Sequence, residues 1–213
     1  MSNTAIEIFA NVIAEQQNKQ SQSVWWDKGH YSSIDSLKPD YSGKAGELLA
    51  KSLCETLGIK YSYDEDIVDQ DDGTYDITIK GTLVEIKTAR VGCYGDNFQH
   101  ESLRDYGCDH FMFIDVTPHN FYLSIFPSDF DFRQKHPIFG RTPHLRKGSD
   151  GIYKFDLSLA SLKKGINAGV TLLVNDKTSD GNIRDFIKVE TLHTYWYSHE
   201  HDVDGNHVNT PIT

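Results

Sequence analysis

YDITIKGTLVEIK, residues 75–87, is the stretch on which the reading of this chain turns. If Lys80-Gly81 forms a two-residue turn, the shortest hairpin on offer, then Ile79 faces Thr82, Ile77 faces Val84 and Asp76 faces Glu85. Side chains alternate along a strand. Ile77, Ile79, Val84 and Ile86 therefore share the buried face, and Asp76, Glu85 and Lys87 fall on the other. Opposed residues have Cβ atoms about 4.5–5.5 Å apart, where like charges destabilise the pair. A divalent cation between the two carboxylates turns that repulsion into a site. Lys87 lies two residues past Glu85 on the same side, about 6–7 Å along the strand.

Two acids and one ammonium are the parts that metal-assisted phosphodiester hydrolysis needs. The cation lowers the pKa of water and offsets charge developing on the phosphorus oxygens, and the lysine orients the nucleophile or stabilises the same charge. The same pattern also describes the solvated face of an ordinary hairpin, because Glu-x-Lys is a common tripeptide. What distinguishes this one is that the only acids of the two strands are the pair that meets.

Outward from the hairpin, GKAGELLAKSLCETLGIK (43–60) reads as a helix with Leu48, Leu49, Leu53 and Leu57 on one face and Gly58 as its terminator. Residues 4–17 carry Ile6, Phe9, Val12 and Ile13 at helical spacing with Thr4 as a cap, and 18–42, holding Trp25, Trp26 and Pro39, read as a loop or arm. Residues 61–70 read as a strand entering an acidic turn at 69–73. HFMFIDV and FYLSIF read as strands split by a turn at 117–120. A loop over 128–150, a short helix near 156–165, and late strands in GVTLLVN and DFIKVETLHTYWY follow. The expected fold class is α/β: a central mixed sheet flanked by helices in one domain.

This order resembles the PD-(D/E)xK nuclease superfamily and its restriction-endonuclease-like core. The resemblance covers about 43–127, with Asp76 as the first acid and Glu85-Ile86-Lys87 as the E-x-K element; Tyr75 stands where the motif has proline. It implies a further acid on the earlier helix, here Glu47, and a main-chain metal ligand at the middle E-x-K residue, here Ile86. It also implies a Mg²⁺-dependent type II restriction endonuclease leaving 5′-phosphate and 3′-hydroxyl ends. Mn²⁺ would be a substitute, and Ca²⁺ would bind without supporting cleavage. Segment 1–42 is then an arm with a dimerisation role, 43–200 the nuclease domain and 201–213 a polar tail. One site per chain calls for a two-fold homodimer on double-stranded DNA. A repair or structure-selective nuclease of the same fold and a non-catalytic DNA-binding module are the alternatives.

The formal net charge of −10 argues against a protein that wraps nucleic acid by bulk electrostatics, so local distribution has to decide. Residues 133–147 hold Arg133, Lys135, Arg141, Arg146 and Lys147 without an acid, either a grip on a phosphate backbone or a solvated loop. The segment after the E-x-K strand offers Arg90, Asn97 and Gln99 for phosphates or base edges, or is an ordinary connection to a helix. Three cysteines, Cys54, Cys93 and Cys108, lack C-x-x-C spacing; together with an acidic start and no long apolar run, they predict a cytoplasmic protein without membrane contact. Cys54 reads as core. His193, His199, His201 and His207 fit no standard metal spacing, and Asp180-Gly181 and 202–205 read as turns.

Overall fold

The computed structural model describes residues 4–19, 29–63, 75–91 and 97–188. Trp25, Trp26, Cys93, the acidic turn at 69–73 and the tail histidines lie outside those residues. In chain order the elements are α1 (Thr4–Lys19), a 3-10 turn (Ser32–Ser36), α2 (Pro39–Leu57), β1 (Tyr61–Ser62), β2 (Ile77–Ile79), β3 (Thr82–Arg90) and β4 (Asn97–Leu103). They continue with β5 (His110–Val116), β6 (Phe121–Pro127), β7 (His144–Leu145), β8 (Tyr153–Ser158), α3 (Leu159–Asn167), β9 (Thr171–Val174) and α4 (Asp180–Ile187).

Six strands form one sheet in the order β1-β2-β3-β5-β6-β9, and β4-β8-β7 form a second, smaller one. Only β3 and β5 run parallel within the large sheet, which makes it mixed. Two helical elements differ from the sequence expectation. Helix α2 starts at Pro39 rather than at Gly43, because Pro at the first helical position has its φ already set and lacks only an N–H that would be unpaired there. At its other end Gly58 takes φ +64° and turns its N–H back to the Cys54 and Glu55 carbonyls. The late strand expected from Asp185 onward is replaced, as far as Ile187, by α4. A capping box at Ser179 and Asn182 starts that helix and puts Asp180 in its first turn. Thr4, expected to cap α1, instead donates its hydroxyl to the Asp180 carboxylate at 2.8 Å.

Alternation assigns the two faces of the large sheet. On β5, Ile114 points to α2, where a Cβ on Gly46 would stand 3.3 Å from its Cδ1. Phe113 points the opposite way, stacked 3.8 Å from the ring of His100 on β4. Helices α1, α2 and α4 thus cover one face, and the small sheet with α3 covers the other. With both faces covered, all seven residues of β5 are buried, five of them large apolar side chains. No helix among the described residues is long and apolar enough to cross a membrane.

The two sheets are joined by a buried polar contact: His100 Nε2 lies 2.8 Å from Asp115 Oδ1, both side chains at 0% exposure. Burial raises the Asp115 carboxyl, and His100 opposes the shift. Truncating one partner strands the other in an apolar layer. His100→Ala is therefore expected to lower unfolding free energy by about 3 kcal/mol in urea titrations, whereas the double change His100→Leu with Asp115→Leu costs far less. Equal losses for the single and double variants would contradict this account.

Candidate active site

The hairpin has the register expected from its sequence. Ile77 pairs with Val84 and Ile79 with Thr82, around a turn in which Lys80 and Gly81 both take positive φ, as type I′ geometry requires. The ladder stops at Ile77, although the Asp76 N–H still reaches the Val84 carbonyl at 3.0 Å. One step further along, the partner of the Ile86 N–H is the Asp76 carboxylate, with Oδ2 at 2.6 Å. A side-chain oxygen thus stands where the next carbonyl of β2 would have been. By strand alternation the Ile86 carbonyl leaves the same edge as its N–H, beside Asp76.

That replacement brings together groups from both faces. Glu85 and Lys87 pair with Phe111 and Phe113 across β5 and share their side of the sheet, under the small sheet. Glu47 comes from α2 on the opposite side. Its approach depends on Gly46: a Cβ there would lie 1.8 Å from Thr88 Oγ1 on β3, so only glycine lets the helix sit this close. Glu85 is not the solvated residue an outer hairpin face would supply; only 4% of it is exposed. The loop after β4 covers it, and that loop contains Tyr106.

Charges around Asp76 are unevenly matched. Lys87 Nζ sits 2.5 Å from Glu85 Oε1, and Lys44 Nζ sits 3.2 Å from Glu47 Oε2. The Tyr63 hydroxyl accepts from Lys44 at 2.9 Å and donates to Glu47 at 3.2 Å. Asp76 makes no ion pair among the described residues. Burial, then the charges of Glu85 and Glu47, push its carboxyl up to about 8, against weaker opposition from the Ile86 N–H and Lys87. Burial favours neutral Lys87, but Glu85 and Tyr106 more than offset it, and the ammonium holds its proton more tightly than an ordinary lysine.

The oxygens gathered here are two carboxylates, Asp76 and Glu85, and the Ile86 carbonyl. This hard donor set suits Mg²⁺, which binds through one or two carboxylates and keeps several waters. Among the described residues no group of three His, Cys, Asp or Glu side chains stands together as a metal cage, so Glu47 acts on Asp76 through charge rather than as a third close carboxylate.

The remaining sequence candidates fall in different places. Arg90 does not face an outer ligand: its Nη1 donates to the Ile34 and Leu37 carbonyls at 3.2 and 3.1 Å, and its Nε pairs with Asp35 at 3.1 Å. It pins the 3-10 turn, and the segment after β3 leads to another strand rather than to a helix. Asn97 and Gln99 are exposed on β4, and Arg133, Lys135, Arg141, Arg146 and Lys147 are all exposed on the 128–147 loop. That loop is anchored from below by Phe130, Phe132, Phe139 and His136. Burial pushes the His136 imidazole down to about 3, leaving Nδ1 to accept from the Ile138 and Phe139 N–H groups. Sequence reasoning missed Lys44, Tyr63, Arg104 and Tyr106. Lys44 lay inside a quoted motif. Tyr106 and Arg104 sit in a polar loop with no periodicity to mark them.

Comparison with protein-family models, curated proteins and solved structures finds no match.

The crowding at Asp76 has a thermodynamic consequence. An ordinary aspartate releases its proton near 3.8, whereas the folded protein holds this one to about 8. Between those values the native state binds more protons than the unfolded chain, so this group makes stability fall as pH rises. Asp76→Asn removes the effect. Without divalent cations its melting temperature should exceed that of the wild type by a margin that grows from pH 4 to 8, reaching roughly 2–6 °C. Calorimetry at several pH values checks this; a margin that stays flat with pH would refute the crowding.

Proposed function

We propose that the protein is a Mg²⁺-dependent DNA endonuclease of the restriction type, in which Asp76 and Glu85 hold the cation with the Ile86 carbonyl and Lys87 acts on the attacking water. One observation carries the reading: beside a second carboxylate and a lysine, the buried carboxylate of Asp76 has no ion-pair partner among the described residues and is drawn onto β3 where the β2 ladder ends, accepting from the Ile86 N–H. When bound, the cation supplies the missing positive charge, a more acidic water and screening of the phosphorus oxygens. Lys87 is held by Glu85, which fixes where its ammonium can offer a hydrogen bond to the nucleophile. Glu47, although paired with Lys44, still contributes negative charge felt at Asp76 and would favour cation uptake. Attack by water on phosphorus forms one P–O bond and breaks the P–O3′ bond. The 3′ oxygen gains a proton, and the phosphate remains on the 5′ end.

The exposed basic run at 133–147 and the exposed Asn97 and Gln99 on β4 supply positive and polar groups that a duplex backbone could engage. Two chains related by a two-fold axis would supply one site for each strand.

Asp76→Ala and Lys87→Ala are expected to fold and to cut unmethylated phage DNA in Mg²⁺ about 10²–10⁴-fold more slowly than wild type. Undiminished cutting by either variant would end the assignment. Discrete fragments from the wild type support restriction, whereas cleavage confined to forks, flaps or mismatches identifies a structure-selective nuclease of the same chemistry.

A further inference from the structure

Strand β4 contains an irregularity next to the site. Its pairing with β8 shifts between His100 and Leu103, and Ser102 takes φ +59°, a left-handed conformation uncommon for serine. Bulges of this kind re-aim the chain beside functional sites. Here the chain that follows carries Arg104 and Tyr106 over β3. The Tyr106 hydroxyl donates to the Ser102 carbonyl, tying the ring to the bulge. Two cations lie against that one ring: Lys87 Nζ at 4.7 Å from its centroid and the Arg104 guanidinium at 4.9 Å.

Lys87 has Glu85 as its counterion. Arg104 is exposed and makes no ion pair among the described residues. Two like charges on one ring repel, and among the described residues no carboxylate forms an ion pair with Arg104. A guanidinium in this setting presents its N–H fork to a phosphate and keeps its face on the ring.

We propose that Arg104, carried by the Ser102 bulge and the Tyr106 ring, is a phosphate-binding residue that takes a backbone phosphodiester of the substrate beside Lys87. Tyr106 is the positioning residue for both cations. This rests on the nuclease reading for its ligand, a nucleic-acid backbone, but assigns a residue that the sequence motif does not contain. A phosphate contact fixes register without reading bases, so its loss weakens binding equally on all sequences.

The test is equilibrium binding of a short fluorescein-labelled DNA duplex to the full chain in Ca²⁺, read by anisotropy over a series of salt concentrations. Inorganic phosphate is the competitor that separates general anion uptake from backbone binding. Arg104→Gln is expected to weaken binding about tenfold on unrelated sequences and to reduce the salt slope by about one. Tyr106→Leu should reproduce the loss, and Tyr106→Phe, which keeps the ring, should restore most of the affinity.

Wild-type affinity and slope in Arg104→Gln, or in Tyr106→Leu, would overturn the proposal. So would a wild type that binds no duplex, or one from which millimolar phosphate removes the Arg104 contribution as readily as DNA supplies it. Cleavage in Mg²⁺ is measured separately. A wild type that cuts while Arg104→Gln binds normally leaves the nuclease reading intact and removes only this inference. A wild type that binds through Arg104 but never cuts does the reverse.

Discussion

The geometry of the site depends on where β2 stops. Were its ladder to continue past Ile77, the Ile86 N–H would be answered by a backbone carbonyl and Asp76 would be one more side chain on the sheet surface. Instead the strand gives way and the Asp76 carboxylate enters the plane of the sheet to accept that N–H at 2.6 Å. A carboxylate in the plane is within reach of both faces at once. It feels the charge of Glu85 from the side of the small sheet and of Glu47 from the side of α2, which no single face of a hairpin could arrange. Glycine at position 46 completes the arrangement by letting α2 settle against Thr88. The cost falls on Asp76, whose carboxylate form neither lysine is left to match, so that it holds its proton up to about 8.

This division of charge leaves the two parts of the site with opposite imbalances. On the Asp76 side the deficit is positive: three carboxylates face two ammonium groups, each committed to one of them. On the Tyr106 side the deficit is negative, because Arg104 and Lys87 share a ring and, among the described residues, only Lys87 has an ion-pair partner. Under the proposed nuclease reading, a hydrated divalent cation and a phosphodiester, mutually attracted, would satisfy opposite ends of one site. Low exposure strengthens the first imbalance, since screening by water is weak where Glu85 is 4% exposed. Function and stability are here opposed: the same burial that sharpens the demand for a cation destabilises the protein without one.

Local signals made part of this legible from the sequence. The hairpin register followed from turn length and alternation alone, because a slip of one residue would have put Ile77, Ile79, Val84 and Ile86 on the wrong face. The leucines of α2, its terminal Gly58 and the strands either side of 117–120 were equally local, and a mixed sheet flanked by helices followed from their order. What failed were boundaries and second layers. Pro39 was read as a loop residue, although the first turn of a helix accepts proline. Asp185-Phe186-Ile187 begin a β-rich run in the sequence, but the capping box at Ser179 makes them the end of a helix. For Arg90, a cation next to the motif, the sequence leaves a ligand contact and an ordinary connection both open; the structure has it hold the 3-10 turn at Ile34 and Leu37.

The small sheet was the least legible feature and the most consequential. Nothing in its strands announces that β4 leaves the large sheet, since NFQHESL alternates as any surface strand does. The decision is made by tertiary contacts: Phe98 and His100 turn inward to Tyr122 and Phe113, and His100 meets Asp115, so β4 is drawn across the face of β5 rather than alongside it. Once there, its bulge at Ser102 brings Arg104 and Tyr106 over Lys87. The lysine that a one-dimensional reading places on a solvated face is thereby enclosed between an acid and an aromatic ring. Enclosure removes rotamer freedom from a long flexible side chain. A lysine held in this way can act at one defined point in space, which an exposed Glu-x-Lys on a hairpin surface cannot do.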